Sequence, residues 1–304
     1  MASPIWFVRL LQRFFSQRFA VARLSKHSFV VRRFFDRVLF PGDHILYLPK
    51  DNVIQVHEAV QPPVSTVLPS QIVEHFIEKA DDHFIMNRCI CREAAGCQHY
   101  PVDLGCLFLG EAVKGIHPEL GRRVSKAEAL AHLKRAQQAG LVQMIGRNHL
   151  DTVWMGVGPG NKLMTICNCC ECCCLYKMLP DMHETVSSRI QKMPGVSVSV
   201  GDACVGCGKC AQGVCFVRAI RLENGRAVIG EECRGCGRCV EVCPTGAITL
   251  HVSGWDFVET SITQLEPLVN LKASLPDGRV VEKEAECPKL EWDSAVSKSQ
   301  TWQR

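Results

Sequence analysis

The sequence predicts an α+β chain: a basic amphipathic helical arm, then a mainly helical cysteine-rich domain, then a small repeated unit. Three observations carry this. Nineteen of the 304 residues are cysteine, set in CxC, CC and CxxC groups rather than wide pairs; helical periodicity recurs through the first half; and a cysteine motif that begins at Cys204 returns at Cys233. Tight grouping of this kind favours metal coordination over a disulfide framework and implies a reducing compartment. The boundaries expected are 1–42 for the arm, 43–194 for the cysteine-rich metal-binding domain, 195–252 for the repeated unit and 253–304 for a C-terminal extension with a polar tail.

In the arm, residues 5–24 place Arg9, Arg13 and Arg23 opposite Val8, Leu11, Phe14, Phe15 and Phe19 at helical spacing. Arg18 alone interrupts the apolar face. A second helical pattern, Val31, Phe34, Phe35 and Val38, ends at Pro41 and Gly42. Residues 1–40 hold eight Lys or Arg against one acid, so seven positive charges sit there and the remainder of the +4 chain is net negative. A terminal basic feature does not suit a nucleic-acid binder, which carries its charge as a face over the folded body. It suits a helix on an anionic lipid surface, a partner's groove, packing on the protein's own core, or a transit peptide. No run of about 18 apolar, uncharged residues occurs, so no spanning helix is expected. The expected location is cytoplasmic, with peripheral membrane association through residues 5–40 left open.

Beyond the arm, HILYLPKDNVIQV alternates as one or two short strands. LPSQIVEHFIEKA reads as an amphipathic helix, and VSKAEALAHLKRAQQAGLV carries a capping box from Ser125 to Glu128 with a stop at Gly140. These helices bracket Cys89, Cys91, Cys97 and Cys106. The second leads to TICNCCECCCLYK, with Cys167, Cys169, Cys170, Cys172, Cys173 and Cys174. One helix would scatter those six thiols over all its faces, so a looped backbone converging on a metal is expected. The ten cysteines fit a further iron-sulfur cluster or zinc; a dithiol relay and plain core packing are the other readings. His99 is the candidate histidine, and Arg92 either neutralises thiolate charge or is an exposed cation.

The segment CRGCGRCVEVCPTGAI holds Cys233, Cys236, Cys239 and Cys243 followed by Pro244, in CxxCxxCxxxCP spacing. CVGCGKCAQGVCFVRAI repeats it with Cys204, Cys207, Cys210 and Cys215. Together they resemble the two-cluster bacterial ferredoxins over residues 198–250. The resemblance implies a βαββαβ unit holding two [4Fe-4S] clusters, one on Cys204, Cys207, Cys210 and Cys243, the other on Cys233, Cys236, Cys239 and Cys215, because the fourth cysteine of each run serves the other cluster. Zinc is the competing reading of the CxxC spacings. The first copy departs from the pattern by one inserted residue and by Phe216 in place of proline. The pairing of CICR with CNCCxCCC is also similar to that in cysteine-rich ferredoxin-like proteins of anaerobic microbes.

These readings predict an electron-transfer protein that passes single electrons through two clusters, to or from a further centre in the cysteine-rich domain, with redox proteins as donor and acceptor. The alternatives are a redox enzyme whose cysteine-rich metallocentre is catalytic and a zinc-stabilised interaction module fused to a ferredoxin. No nucleophile with its base is visible, so acid-base catalysis is not expected.

Overall fold

The computed structural model describes residues 2–56, 68–254 and 256–272, which belong to one unit spanning Met1–Ala273. The polar tail, with Cys287, lies outside the described residues. Strands β1 (His44–Tyr47), β2 (Ile54–Val56), β3 (His83–Met86), β4 (Leu107–Leu109), β5 (Gly121–Val124), β6 (Val142–Arg147), β7 (Met164–Cys169) and β8 (Ile190–Lys192) precede the repeated unit. All but β2 form one sheet in the order β5-β3-β4-β7-β6-β1-β8, antiparallel except for the parallel β1–β8 pair.

That sheet is the main departure from the mainly helical domain expected of residues 43–194. Its strands are three to six residues long, and most are apolar at successive positions because both faces are covered. Such runs lack the period-two signal by which half-exposed strands are recognised. Leu46, Ile145, Ile166, Leu107 and Leu109 pack beneath helix α4 (Ser70–Lys79) and helix α6 (Lys126–Gln138). Ile45, Tyr47, Val142, Met144 and Cys169 belong to a separate core that includes Ala22, Phe35 and Phe40 of the arm. The alternation of Ile45, Leu46 and Tyr47 between the two cores is the pleat of the strand.

Local signals place the helices well. Helix α6 begins at the expected capping box, with the Ser125 side chain accepting from Glu128 N and the Glu128 carboxylate accepting from Ser125 N. The arm differs from one continuous helix. Helix α1 (Ile5–Arg13) and helix α2 (Arg18–His27) are separated by a short 3-10 turn at Phe15–Gln17, and α3 (Phe29–Phe34) runs into a π-helical turn before Pro41. Among the described residues no helix is long and apolar enough to cross a membrane.

Residues 195–252 run as strand β9 (Val196–Val200), a 3-10 turn, strands β10 (Ile220–Glu223) and β11 (Arg226–Ile229), helix α7 (Arg238–Glu241) and strand β12 (Ile248–Val252). Strands β10 and β11 form the expected hairpin, with Asn224 and Gly225 at positive φ in its turn. Strand β12 pairs antiparallel with β9 and parallel with β2, so a segment from between β1 and β3 of the larger sheet completes this smaller one. Leu250 and Val252 share the first core with α4 and with Phe257 and Leu265 of helix α8 (Phe257–Leu265).

Candidate metal centres

The eight cysteines of the repeated unit fall into two cavities. Cys204, Cys207, Cys210 and Cys243 line one; Cys215, Cys233, Cys236 and Cys239 line the other. Each therefore draws three cysteines from one copy of the motif and its fourth from the other copy. Glycine makes the loops: Gly206, Gly208, Gly235 and Gly237 all have positive φ, and a Cβ on Gly206 would lie 2.1 Å from the Gly225 carbonyl oxygen. Backbone amides face sulfur, with Ala227 N 3.4 Å from Cys204 Sγ, Gly235 N 3.4 Å from Cys233 Sγ and Ala219 N 3.3 Å from Cys215 Sγ. Such bonds favour the anionic form of the sulfur.

The ten cysteines before residue 180 divide differently. Cys97, Cys170, Cys172 and Cys173 have sulfur atoms all within 4.8 Å of one another. Cys89, Cys91, Cys106, Cys167, Cys169 and Cys174 line a cavity of about 330 Å³ walled on one side by α1 and α2 of the arm; Cys170 lines it as well as joining the other group. The sheet explains the division. The β4–β7 register sets Leu107 against Ile166, so Cys106 and Cys167 are opposed at its continuation, with their sulfurs 3.8 Å apart. Cys167 and Cys169 share one face of β7, and Cys169 lies 3.5 Å from Met144 Sδ. After Cys169 the strand ends in a turn that carries Cys170, Cys172 and Cys173 to Cys97. Cys89 and Cys91 are held at the start of helix α5 (Ile90–Ala94).

Residues 227–249 match the 4Fe-4S binding domain family. No curated protein and no solved structure matches the chain. The 4Fe-4S binding domain match contains Cys233, Cys236, Cys239 and Cys243, so the chain carries an iron-sulfur, ferredoxin-like domain with provision for at least one [4Fe-4S] cluster. These four residues are divided between the two cavities of that domain.

The six-cysteine cavity sets thiols beside two arginines and buried donors. The hydrogen bond from Cys91 and the charge of Arg92 hold the Cys89 thiol down at about 6 against its burial. Cys91 and Cys106 are pushed well up, by the bond each makes to a neighbouring thiol and then by burial. Four polar groups on the wall are buried without a hydrogen-bond partner: Arg18 Nε, Arg92 Nε, Tyr176 Oη and Asn148 Oδ1. Three of these are donors, which suits an occupant rich in sulfide or thiolate. Arg92 is not the exposed cation allowed by the sequence; it is fully buried, donating to the Asn168 and Leu104 carbonyls. His99 is exposed and outside both cysteine groups.

Arg18, the interruption in the arm's apolar stripe, lines this cavity. It donates to the Phe15 carbonyl at 2.9 Å, lies 4.0 Å and 4.2 Å from the Phe15 and Phe19 ring centres, and feels the charges of Cys91 and Cys174. Phe216, the departure from the ferredoxin pattern, is buried against Tyr47 with ring centres 5.6 Å apart. Tyr47 in turn lies within electrostatic reach of Cys169 and Cys174 on one side and of Cys236 on the other; burial, then these thiols, pushes its hydroxyl pKa well up. Sequence reading missed three further residues. Arg238, next to Cys239, donates to Glu171 at 2.8 Å and to Tyr100 Oη at 2.6 Å, while Tyr100 donates to Glu171 at 2.9 Å. Their charges and rings gave no signal, because the pairing spans residues 67 and 138 positions apart.

Proposed function

We propose that this chain is an iron-sulfur electron-transfer protein with three redox centres. Cys204, Cys207, Cys210 and Cys243 would hold one [4Fe-4S] cluster and Cys215, Cys233, Cys236 and Cys239 a second, in a dicluster ferredoxin domain of about residues 195–252; the six-cysteine cavity would hold a third centre. Bound clusters of this kind accept and release single electrons. The chain's own residues set the conditions: the amides of Ala219, Ala227 and Gly235 stabilise thiolate sulfur, and Arg18 and Arg92 offset negative charge at the cavity.

The observation that carries the reading is one apolar core joining the six-cysteine cavity to the cavity of Cys215, Cys233, Cys236 and Cys239. Tyr47, Phe216, Cys169 and Cys174 are buried members of it, with Cys215, Cys233 and Cys236 packed against them. This continuity puts apolar packing between the two centres and favours exchange between them over isolated sites. Redox proteins would serve as donor and acceptor, in a reducing, cytoplasmic setting that suits thiolate-held iron. The outer face of the arm, where exposed Trp6, Phe29 and Val30 lie among arginines, suits contact with a partner or an anionic membrane.

A second reading, a redox enzyme with its reaction at the six-cysteine cavity, is favoured by two features. The cavity volume is within the range of small-ligand sites, and six thiols exceed the four that a cube needs. Anaerobic purification followed by iron and sulfide analysis and a reductive titration tests the proposal. About twelve irons and reversible bleaching are expected; iron near eight, unchanged by Cys106→Ser, would remove the third centre.

A further inference from the structure

We propose that Cys97, Cys170, Cys172 and Cys173 bind a single zinc ion in a closed tetrahedral site, separate from every iron-sulfur centre of the chain. The geometry carries this. A zinc-thiolate bond of about 2.3 Å puts the four sulfurs of a tetrahedral site about 3.8 Å apart. Here Cys97 and Cys173 each lie 3.5 Å from Cys172, and all four sulfurs fall within 4.8 Å of one another. At 3.5 Å the sulfurs are too far apart for a disulfide, whose bond is about 2.05 Å. A cube, with four irons between its ligands, needs a wider frame than one ion. Among the described residues no other group of three or more possible ligands is so tightly drawn, so the ferredoxin quartets are spaced more widely.

The surroundings suit a structural ion. Cys170 and Cys173 are buried, and Leu104, Ala136 and Leu141 close the site with apolar surface. Four thiolates fill the coordination shell, are soft enough to select zinc over harder cations, and leave no position for substrate. Zinc binding would release the thiol protons to solvent. The ion would also fix the turn that presents Glu171 to Arg238, and so brace the loop that carries Cys236 and Cys239.

The inference is independent of the electron-transfer reading, since it concerns cysteines which that reading does not use. The test uses the full chain, purified anaerobically with zinc and iron both supplied. About one zinc per chain is expected, and zinc-edge X-ray absorption should find four sulfur neighbours at about 2.3 Å and no metal neighbour. Cys172→Ser should lower zinc retention against a competing chelator at least tenfold while iron is unchanged; Cys106→Ser should do the reverse. Wild-type protein without zinc, zinc with nitrogen or oxygen neighbours, or loss of about four irons rather than one zinc in Cys172→Ser would overturn it. The spectrum of the wild-type chain decides even if the variants do not fold. Failure of the iron measurements alone would leave the zinc result standing.

Discussion

Replacing Arg238 by Met cuts the link between the cysteine turn at residues 170–174 and the ferredoxin-like domain. The guanidinium donates to Glu171 at 2.8 Å, Tyr100 Oη at 2.6 Å and Glu241 at 2.9 Å, and the Arg238 and Glu171 side chains are only 14% and 19% exposed. An exposed pair of this kind contributes about 0–1 kcal/mol, whereas breaking a fully buried one costs about 3–5 kcal/mol. At this intermediate burial we expect about 2 kcal/mol, equivalent to a factor of about 30 in a local opening equilibrium. Hydrogen exchange under anaerobic conditions should therefore quicken about 30-fold at the amides of both segments, 170–174 and 236–241. Glu171→Gln should do part of the same. The double variant should fall short of the sum, because each change removes the same interaction. Faster exchange in only one segment, or additive effects of the two changes, would refute the link.

Three further outcomes follow from the same structure. Burial pushes the Asp43 carboxyl, which accepts from His149 N at 2.7 Å, up to about 7. Between about pH 4 and 7 the folded chain holds a proton that the unfolded chain has lost, so stability should fall as pH rises through that window and level off above it. The loss relative to Asp43→Asn has a ceiling of about 4 kcal/mol and is read by urea unfolding at pH 5 and 7.5; parallel curves for the two proteins would contradict it. Gly206→Ala puts a Cβ 2.1 Å from a carbonyl oxygen, whereas Gly246→Ala meets nothing within 4 Å. The first should lose iron at the Cys204 cavity and the second should retain it at a left-handed backbone cost of about 1 kcal/mol, as checked by iron analysis. Arg18→Met removes a cation from the six-cysteine cavity and should make the midpoint potential of the centre proposed there more negative. The shift expected is on the order of 50 mV, half of the roughly 100 mV that a unit charge about 7 Å away exerts at an effective dielectric constant of about 20, since the side chain is partly exposed. An unchanged potential in a redox titration would show that Arg18 does not act there.

Much of this was legible in the sequence where the signal was local. The capping box of α6, the Asn-Gly hairpin and the cysteine repeat each lie within a few residues, and each was found where expected. The large sheet was not legible, because its strands are short and paired across long separations and its inner strands are covered on both faces. The division of the ten cysteines depends on that sheet. Only the β4–β7 register shows that Cys106 faces Cys167, and only the turn after β7 shows that Cys170 leaves its neighbours to join Cys97. Two irregularities were visible without their meaning. Arg18 broke an apolar stripe because it serves a cavity, and Phe216 replaced proline where the ferredoxin-like domain packs on Tyr47.

The central claim is that the repeated unit holds two neighbouring [4Fe-4S] clusters whose electrons are shared with the rest of the chain. Electron paramagnetic resonance of the fully reduced protein tests it most directly. Two nearby one-electron-reduced clusters should give a broadened, interacting signal, and Cys207→Ser should lose the part of that broadening due to the cluster at Cys204, Cys207, Cys210 and Cys243. Isolated signals in the wild-type protein, or none after reduction, would contradict it.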